Sequence, residues 1–372
     1  MFMRSLPLPL IRRLVPLNGL GENSLQTLLE RCEWQLVGRG QRLLPVADME
    51  RIHTYLVSGE ALLRYAQEEA VQTPDIPFPV GYGTQGLLSA TALTDCVCLR
   101  VDRQLLERQL CWDHVAAALE LALSYRQEQD EESGWQLTLL KSNLFVKVPP
   151  LNVGQIYTRL RAMQVRKGDV ILKQGEAGDG CYFIRRGRAA VTRRFPGEDV
   201  DRHIVDIGYG RCFGEDALIH DTVRNASVTM ISDGLLMRLD KPDFMLLLRE
   251  TEVDCVRASD LEGVEAGGAV MLDVRMPEEY NIARLQGAKN APLSSLPLLM
   301  SVRLGMQQEY VTYCENGQRS RAAAALLQQR GYRARYLSGG LQGLGSDQRK
   351  RLLDVVPPVV PMPVHDCQSA SA

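Results

Sequence analysis

The chain has 372 residues, of which 45% are apolar and 24% are charged, as in an ordinary globular protein of two or three domains. Its formal net charge is -2 and it has no dense Lys/Arg stripe, which argues against nucleic acid as the main partner. No apolar stretch is long enough to span a bilayer, and the N-terminus lacks the features of a secretory signal. We therefore expect no membrane association. The nine cysteines lack paired metal-ligand spacing, so we also expect no metal site and a reducing, cytoplasmic location.

The first region, residues 1–126, repeats part of the chain that follows it. Segments starting at Gly40, Tyr55, Gly81 and Leu99 align in order with segments starting at Gly168, Phe183, Gly208 and Met237. Register is kept only if about ten residues are deleted from the first copy before its last segment. The chain is therefore predicted to contain two copies of one domain, the first of them shortened.

Residues 113–126 have the apolar period of an amphipathic helix, through which we expect a homodimer to form. The charged run that follows, QEQDEE at 127–132, is typical of a solvated helix end or hinge. We place a helical linker at residues 127–141.

The second copy, residues 142–253, contains apolar runs broken by glycines. Between Lys167 and Val191 the glycines fall at hairpin intervals, which predicts consecutive antiparallel strands.

The segment FGEDALIHDTVRNASV, residues 213–228, has the composition of a site for a cyclised sugar phosphate. Gly214 lets the backbone approach a ligand, Glu215 can accept a hydrogen bond from a ribose hydroxyl, and the short turn after it can direct N–H groups at phosphate oxygens. Arg224 supplies the countercharge and Ser227 a further hydroxyl.

This segment resembles the phosphate-binding cassette of the cyclic nucleotide-binding domain family. In that family the Glu holds the ribose 2'-hydroxyl and the Arg holds the cyclic phosphate. The resemblance implies a β-roll with flanking helices, and cAMP or cGMP as ligand with no cofactor required. The implied binding residues are Phe213, Gly214, Glu215, Asp216, Ala217, Leu218, Arg224, Asn225, Ala226 and Ser227. Asn225 follows the phosphate Arg at a position where a hydroxyl can favour guanine, and the choice between the two nucleotides stays open.

The first copy lacks this cassette. Residues 84–90, TQGLLSA, contain neither the Glu nor the Arg, so we expect this copy to keep the roll without binding a cyclic nucleotide in the usual way. One nucleotide per chain is the resulting prediction.

The third region, residues 254–354, places a cysteine after a strand. The residues from Val270 to Arg275 and those before Cys314 read as buried strands, and Ala322 to Arg330 reads as a helix. A thiol on a Gly-containing loop at a helix N-terminus has free N–H groups and a positive dipole that stabilise a thiolate, and Arg319 adds a positive charge. Nucleophilic chemistry at Cys314 is therefore predicted.

Most of residues 257–344 resemble the rhodanese-like sulfurtransferase family. The motifs that match are DVRMPEEY at 273–280, QGAKNAP at 286–292, the Cys-x-x-Gly-x-Arg-Ser loop at 314–320 and YLSGGLQGL at 336–344. The resemblance implies an α/β domain with a parallel sheet.

In that family the loop cysteine accepts a sulfane sulfur from a donor as a persulfide and passes it to a thiol acceptor. Carried over, Cys314 is the sulfur carrier and Arg319 helps to hold an anionic donor such as thiosulfate. The loop residues whose amides surround the persulfide are Glu315, Asn316, Gly317 and Gln318. Since Glu315 is acidic, it disfavours anionic donors, and thiosulfate need not be the donor.

The Pro-rich tail, residues 355–372, is expected to be disordered. The predicted protein is thus multidomain, with two cyclic nucleotide-binding β-rolls (α+β) followed by an α/β rhodanese-like domain. We predict a nucleotide-sensing sulfurtransferase, and the alternative is a non-enzymatic signalling adaptor. Bacterial regulators of this sensor family carry a helix-turn-helix after the sensor, but here the rhodanese-like region takes its place and no recognition helix is evident.

Overall fold

A computed structural model describes residues 8–45, 48, 50–83, 86–124, 135, 138–139, 152–249, 252–356 and 362–363. The chain forms two compact units. Unit 1 joins residues 1–118 with residues 253–372, and unit 2 comprises residues 119–252. Most of the predicted linker, 127–141, lies outside the described residues.

The N-terminal part of unit 1 is a β-roll with helices packed on it. Its strands are β1 Glu33–Val37, β2 Ile52–Ser58, β3 Ala61–Arg64, β4 Glu68–Gln72, β5 Ser89–Ala92 and β6 Cys96–Asp102, and its helices are α1 Leu8–Ile11, α2 Glu22–Leu29 and α3 Arg103–Ser124. The strand order is β1-β6-β2 in one sheet and β4-β3-β5 in the other, with antiparallel pairing throughout.

Strand β6 shows how the roll buries both of its faces. Cys96 and Cys98, two residues apart, point into the roll interior, whereas Leu99 and Val101 pack in the cluster formed with the helices. Helix α3 continues directly from this strand. It contains the predicted helix at 113–126 as far as Ser124, and Val115 and Ala118 on its apolar face are buried within the chain. The predicted homodimer through this helix stays a prediction.

The C-terminal part of unit 1 is an α/β domain. Its parallel sheet has the order β15-β20-β19-β16-β18, as expected for the third region. These strands are β15 Cys255–Val256, β16 Val270–Asp273, β18 Lys289–Asn290, β19 Glu309–Tyr313 and β20 Arg333–Leu337, and the helices are α7 Leu261–Ala266, α8 Pro277–Ile282, α9 Leu296–Val302, α10 Gln318–Gln328 and α11 Ser346–Leu352. Strand β19 is buried on both faces, which is typical of a parallel sheet covered by helices.

Two short pairings extend unit 1 toward its C-terminal end. Strand β21, Leu353–Val355, pairs with β17, Ala283–Leu285. In the tail, which we expected to be disordered, β22, Met362–Pro363, pairs with β4. Without it β4 would be the edge of its sheet, and an edge strand offers unpaired N–H and C=O groups to an extended segment.

Unit 2 contains the second β-roll. Its strands are β7 Arg161–Val165, β8 Val170–Leu172, β9 Gly180–Arg186, β10 Ala189–Arg193, β11 Arg202–Ile207, β12 Cys212–Phe213, β13 Ser227–Met230 and β14 Gly234–Asp240, and its helices are α4 Val153–Arg159, α5 Glu215–Ile219 and α6 Lys241–Leu248. The predicted strands between residues 167 and 191 are present and paired antiparallel. Strands β8, β9 and β10 of this segment do not pair with each other, because the chain passes between two sheets, ordered β11-β10-β13-β8 and β12-β9-β14-β7. Of the successive strands in this roll, β10 and β11 do pair directly.

The internal repeat is visible in the strand boundaries. Strands β7 and β9 have the same lengths as β1 and β2 and lie 128 positions after them. Strands β13 and β14 have the same lengths as β5 and β6 but lie 138 positions after them. The deletion in the first roll therefore falls between β2 and β5, where the sequence alignment places it.

Candidate functional site

The cassette of the second roll begins with a glycine in a left-handed conformation. Gly214 has φ 88° and precedes α5, where the structure places Glu215 with its side chain almost completely buried. A Cβ added at Gly214 would lie 3.1 Å from both Arg224 Nη1 and Leu172 Cδ1. The position therefore requires glycine both for its backbone angle and for the close approach of the arginine.

Arg224 is held by three acceptors around this turn. Its guanidinium donates to the carbonyl oxygens of Gly214 at 2.6 Å and Gly180 at 2.7 Å, and to Asp179 Oδ1 at 3.0 Å. Only 3% of Arg224 is exposed. Arg238 binds the other oxygen of Asp179 at 2.9 Å, so one exposed carboxylate is shared by two arginines.

The remaining cassette residues surround this arginine in different environments. Phe213 is buried and stacks on Tyr182 with ring centroids 5.4 Å apart. Ser227 Oγ accepts a hydrogen bond from the backbone amide of Gln174 at 3.0 Å. Ala217 and Leu218 are buried, Ala226 is half-buried, and Asp216 and Asn225 are exposed.

Sequence reasoning missed Asp179, Gly180 and Arg238 as partners of this site. Asp179 directly precedes β9 and Gly180 is the first residue of that strand, and no local pattern connects either of them with Arg224.

The structure places Cys314 where the sequence predicts it, at the end of β19 on a loop that leads into α10. Gly317, with φ 95°, closes the loop. The backbone amides of Gly317 and Ser320 donate to Cys314 Sγ at 3.2 and 3.4 Å. The Cys314 carbonyl accepts from the amide of Leu341, which fixes the loop against the Gly-Gly-Leu segment.

The thiol differs from our expectation in one respect. Cys314 is completely buried, and burial raises its pKa above the ordinary value, although Arg319 and the hydrogen bonds with Ser320 act in the opposite direction. The donors predicted to stabilise a thiolate are present, but in this closed arrangement desolvation outweighs them.

Arg319 is completely buried between two carboxylates. It donates to Glu107 Oε2 at 3.0 Å and Oε1 at 2.9 Å, and to Glu279 Oε2 at 2.7 Å and Oε1 at 2.9 Å. Glu107 belongs to α3 of the first roll, whereas Glu279 belongs to α8 of the same domain as Arg319. The residue that we expected to hold an anionic donor therefore binds protein carboxylates here.

The other predicted loop residues are also engaged. Glu315 forms ion pairs with Arg103 at 2.6 Å and Arg275 at 3.5 Å. Asn316 Oδ1 accepts from the Gln318 amide at 3.0 Å, and the Gln318 carbonyl lies 3.7 Å from Cys111 Sγ.

Helix α3 thus covers the loop with one face. Arg103, Glu107 and Cys111 are spaced four residues apart, so they share a helix face, and each contacts a residue between 315 and 319. We did not predict these contacts. The polar residues at helical spacing were visible in the sequence, but nothing local connects them with a loop more than 200 positions away.

A cavity of about 220 Å³ lies between the first roll and the α/β domain within unit 1. Leu44 and Ile52 line it from the roll, and Arg275, Glu315 and Leu341 line it from the domain. Leu44 and Ile52 correspond, 128 positions earlier, to Leu172 and Gly180, against which Gly214 packs in the second roll. The α/β domain therefore faces the part of the first roll from which the cassette has been lost.

Neither a membrane-spanning helix nor a cluster of metal-binding side chains occurs among the residues that the structure describes.

Two protein-family models match the chain. Residues 162–251 match the cyclic nucleotide-binding domain, and residues 260–347 match the rhodanese-like domain.

Two curated relatives each match about a third of the chain. The chain is 33% identical over 123 residues to a cAMP-dependent protein kinase regulatory subunit from Schizosaccharomyces pombe, which is 32% of this chain and 29% of that protein. It is 35% identical over 119 residues to a cyclic nucleotide-gated potassium channel from Rhizobium etli, or 32% of this chain and 31% of the channel. The chain thus spans less than a third of the length of these relatives.

Among solved structures, the regulatory domain of Toxoplasma gondii PKA with cAMP is 20% identical, with a TM-score of 0.29. The match covers 70% of this chain and 95% of that one.

Proposed function

We propose that this chain, which carries a cyclic nucleotide-binding domain followed by a rhodanese-like domain, binds one cyclic nucleotide in its second roll and transfers sulfane sulfur through Cys314. The observation that carries the nucleotide half is the position of Arg224. Its buried guanidinium lies beside Gly214 and α5, and its partners are two carbonyl oxygens and one exposed carboxylate. A cyclic phosphate that displaces the Asp179 contact would gain charge-assisted hydrogen bonds from a side chain that is already ordered.

Within this proposal Glu215 accepts from the ribose hydroxyl, and the backbone around Ala217 and Leu218 lines the phosphate. The residues that complete the site are Phe213, Gly214, Asp216, Asn225, Ala226 and Ser227. Calorimetric titration with cAMP and with cGMP tests it, and a stoichiometry of one nucleotide per chain is expected. Two equivalent sites, or binding of neither nucleotide, would contradict the proposal.

The sulfur half rests on the loop geometry around Cys314. Two backbone amides donate to its sulfur, and the loop is fixed at the N-terminus of α10, an arrangement that can hold a persulfide anion. The roles proposed for Glu315, Asn316, Gly317 and Gln318 are to shape this loop and to present its amides. Arg319 is proposed to hold the positive charge beside it.

Persulfide formation is tested by intact mass after incubation with a sulfane sulfur donor. We expect the native protein to gain the mass of one sulfur atom and Cys314→Ser to gain none. Equal labelling of both proteins would show that another cysteine is responsible.

A second candidate function is a non-enzymatic signalling adaptor. The complete burial of Cys314 under α3 favours it, because no donor reaches the sulfur without a rearrangement. Absence of any persulfide at Cys314, with nucleotide binding intact, would support this alternative.

We further propose that the nucleotide regulates sulfur transfer. The boundary between the units falls within α3, after Ala118, so the helix that carries Glu107 continues into the unit that contains the nucleotide site. Bound nucleotide can shift an equilibrium only by its different affinities for the two states. Equal transfer rates with and without saturating nucleotide would refute this coupling.

A further inference from the structure

We propose that Glu107 of the first roll determines which sulfur donors the Cys314 loop accepts, because it adds a negative charge beside Arg319, whose own charge Glu279 already balances. The inference rests on the proposed sulfur transfer and assigns a role in it to the roll that has lost its own nucleotide cassette. Glu107 acts through Arg319, so it is a positioning residue.

Arg319 lies in a buried cluster of charged side chains. One guanidinium is bound by two carboxylates through four hydrogen bonds, and all three side chains are buried, with exposures of 0% for Arg319, 2% for Glu107 and 1% for Glu279. Above about pH 7, where the Glu107 carboxyl is ionised as well as that of Glu279, the cluster is negative. Arg319 therefore presents no net positive field to a donor, and the excess negative charge comes from a residue outside the α/β domain.

Two other arginines lie at the Cys314 loop. Arg103 and Arg275, which both contact loop residue Glu315, are matched in the same way. Arg103 is 2.6 Å from Glu315, and Arg275 is 2.7 Å from Asp273. Both arginines that contact Glu315 are thus already paired with a carboxylate.

The chemistry of transfer shows why this matters. The Cys314 thiolate attacks the outer sulfur of the donor, the donor S–S bond breaks, and the electron pair leaves with sulfite from thiosulfate or with a thiolate from an organic hydropersulfide. Cys314 retains the outer sulfur as a persulfide in both cases. A dianionic donor must approach a cluster whose charge is already negative, whereas a donor with an uncharged organic group meets much weaker repulsion. Glu107 should therefore favour hydropersulfides whose organic group is uncharged over donors that carry an additional negative charge.

The test compares two donors that differ mainly in charge, the hydropersulfides of 2-mercaptoethanol and of mercaptoacetate, with thiosulfate as a third. The second-order rate of persulfide loading at Cys314 is measured by intact mass at about pH 8, where Glu107 is ionised, for the native protein and for Glu107→Gln. We expect the native protein to prefer the mercaptoethanol donor over the mercaptoacetate donor by about tenfold, and Glu107→Gln to reduce that ratio to near one. A general loss of structure would lower both rates together and leave the ratio unchanged.

Glu30→Gln serves as the matched control, since Glu30 is an exposed carboxylate of the same roll. Glu107→Asp, which keeps a charge but withdraws it from Arg319, should give an intermediate ratio and replaces Glu107→Gln if that variant does not fold. An unchanged donor ratio in the folded variants, with loading at Cys314 intact, overturns this inference alone. Failure of every donor to load Cys314 in all variants overturns the proposed sulfur transfer and the inference together.

Discussion

Arg224 and Arg319 are both buried, but their partners give them opposite electrostatic characters. The partners of Arg224 are two neutral carbonyl groups and the exposed Asp179, which it shares with Arg238. Arg319 is bound by two buried carboxylates. A phosphate can therefore compete for Arg224 at the cost of one solvated contact, whereas an anion at Arg319 must displace a buried ion pair.

Substitution of Arg224 by Ala should weaken cyclic nucleotide binding by about tenfold to a hundredfold, because charge-assisted hydrogen bonds to the phosphate are lost. Calorimetric titration measures the change. Arg194→Ala is the control, since Arg194 is an exposed arginine of the same roll whose partner is Asp201. Unchanged affinity in Arg224→Ala would remove this residue from the binding site.

The raised pKa of the Glu107 carboxyl should make the stability of the fold depend on pH. Burial is the main cause that raises its pKa from 4.5 to about 7, with Glu279 and Glu315 contributing, whereas Arg319 opposes the rise. The folded protein therefore binds a proton that the unfolded chain releases between pH 4.5 and 7, and the free energy of unfolding falls as pH rises through this window.

Relative to Glu107→Gln, the free energy of unfolding of the native protein should fall by on the order of 1 to 3 kcal/mol between pH 5 and 8. Urea unfolding at several pH values measures the difference, and subtracting the variant removes the contributions of groups that both proteins share. Parallel stability curves for the two proteins would contradict the pKa assigned to this group.

At the scale of elements, α3 has two roles in unit 1. Its apolar residues pack against the first roll, and its face with Arg103, Glu107 and Cys111 covers the Cys314 loop. Access to the Cys314 thiol therefore depends on a helix of the first roll, whereas the loop itself belongs to the α/β domain.

The rate at which Cys314 is alkylated should show directly whether α3 covers the loop. In the native protein we expect Cys314 to react with a small maleimide at least tenfold more slowly than the exposed Cys255, because only opened molecules react. Arg103→Ala removes the ion pair with Glu315 and should accelerate Cys314 alone. Mass-spectrometric mapping of both sites over time measures the rates, with Cys255 as the internal control. Equal rates at Cys314 and Cys255 in the native protein would show that α3 does not cover the loop in solution.

The sequence predicted those features whose signals are local. The strands of both rolls follow from repeated segments whose offset changes only across the deletion in the first roll, and the Cys314 loop follows from its spacing before Gly317 and Arg319. The cover of the loop by α3 could not be predicted, since Glu107 and Arg319 are 212 positions apart and no local pattern connects them. The tail strand was missed because the free edge of β4 exists only in the folded sheet.

At the scale of the whole chain, unit 1 is discontinuous and unit 2 is inserted within it. The Arg319 cluster takes Glu107 from one segment of unit 1 and Glu279 from the other. Each segment alone would leave buried charges without their full set of partners, which is strongly destabilising.

Residues 119–252 expressed alone should therefore unfold cooperatively and keep their nucleotide affinity, whereas residues 253–372 alone should be poorly ordered. Co-expression of residues 1–118 with 253–372 should restore a stable complex, which thermal unfolding and size-exclusion chromatography would detect. A stable, monomeric 253–372 fragment with a native melting transition would refute the dependence on the first roll.

The discontinuity of unit 1 also sets an order of events during synthesis. The ribosome completes the first roll's α3 long before it reaches Arg319, and at 5 to 20 residues per second the 212 intervening positions correspond to roughly 10 to 40 s. During that interval the inserted roll can already fold, while Glu107 waits without its counterion. The second roll is therefore complete before the Cys314 loop has been synthesised, and a nucleotide added to growing chains would meet the second roll first.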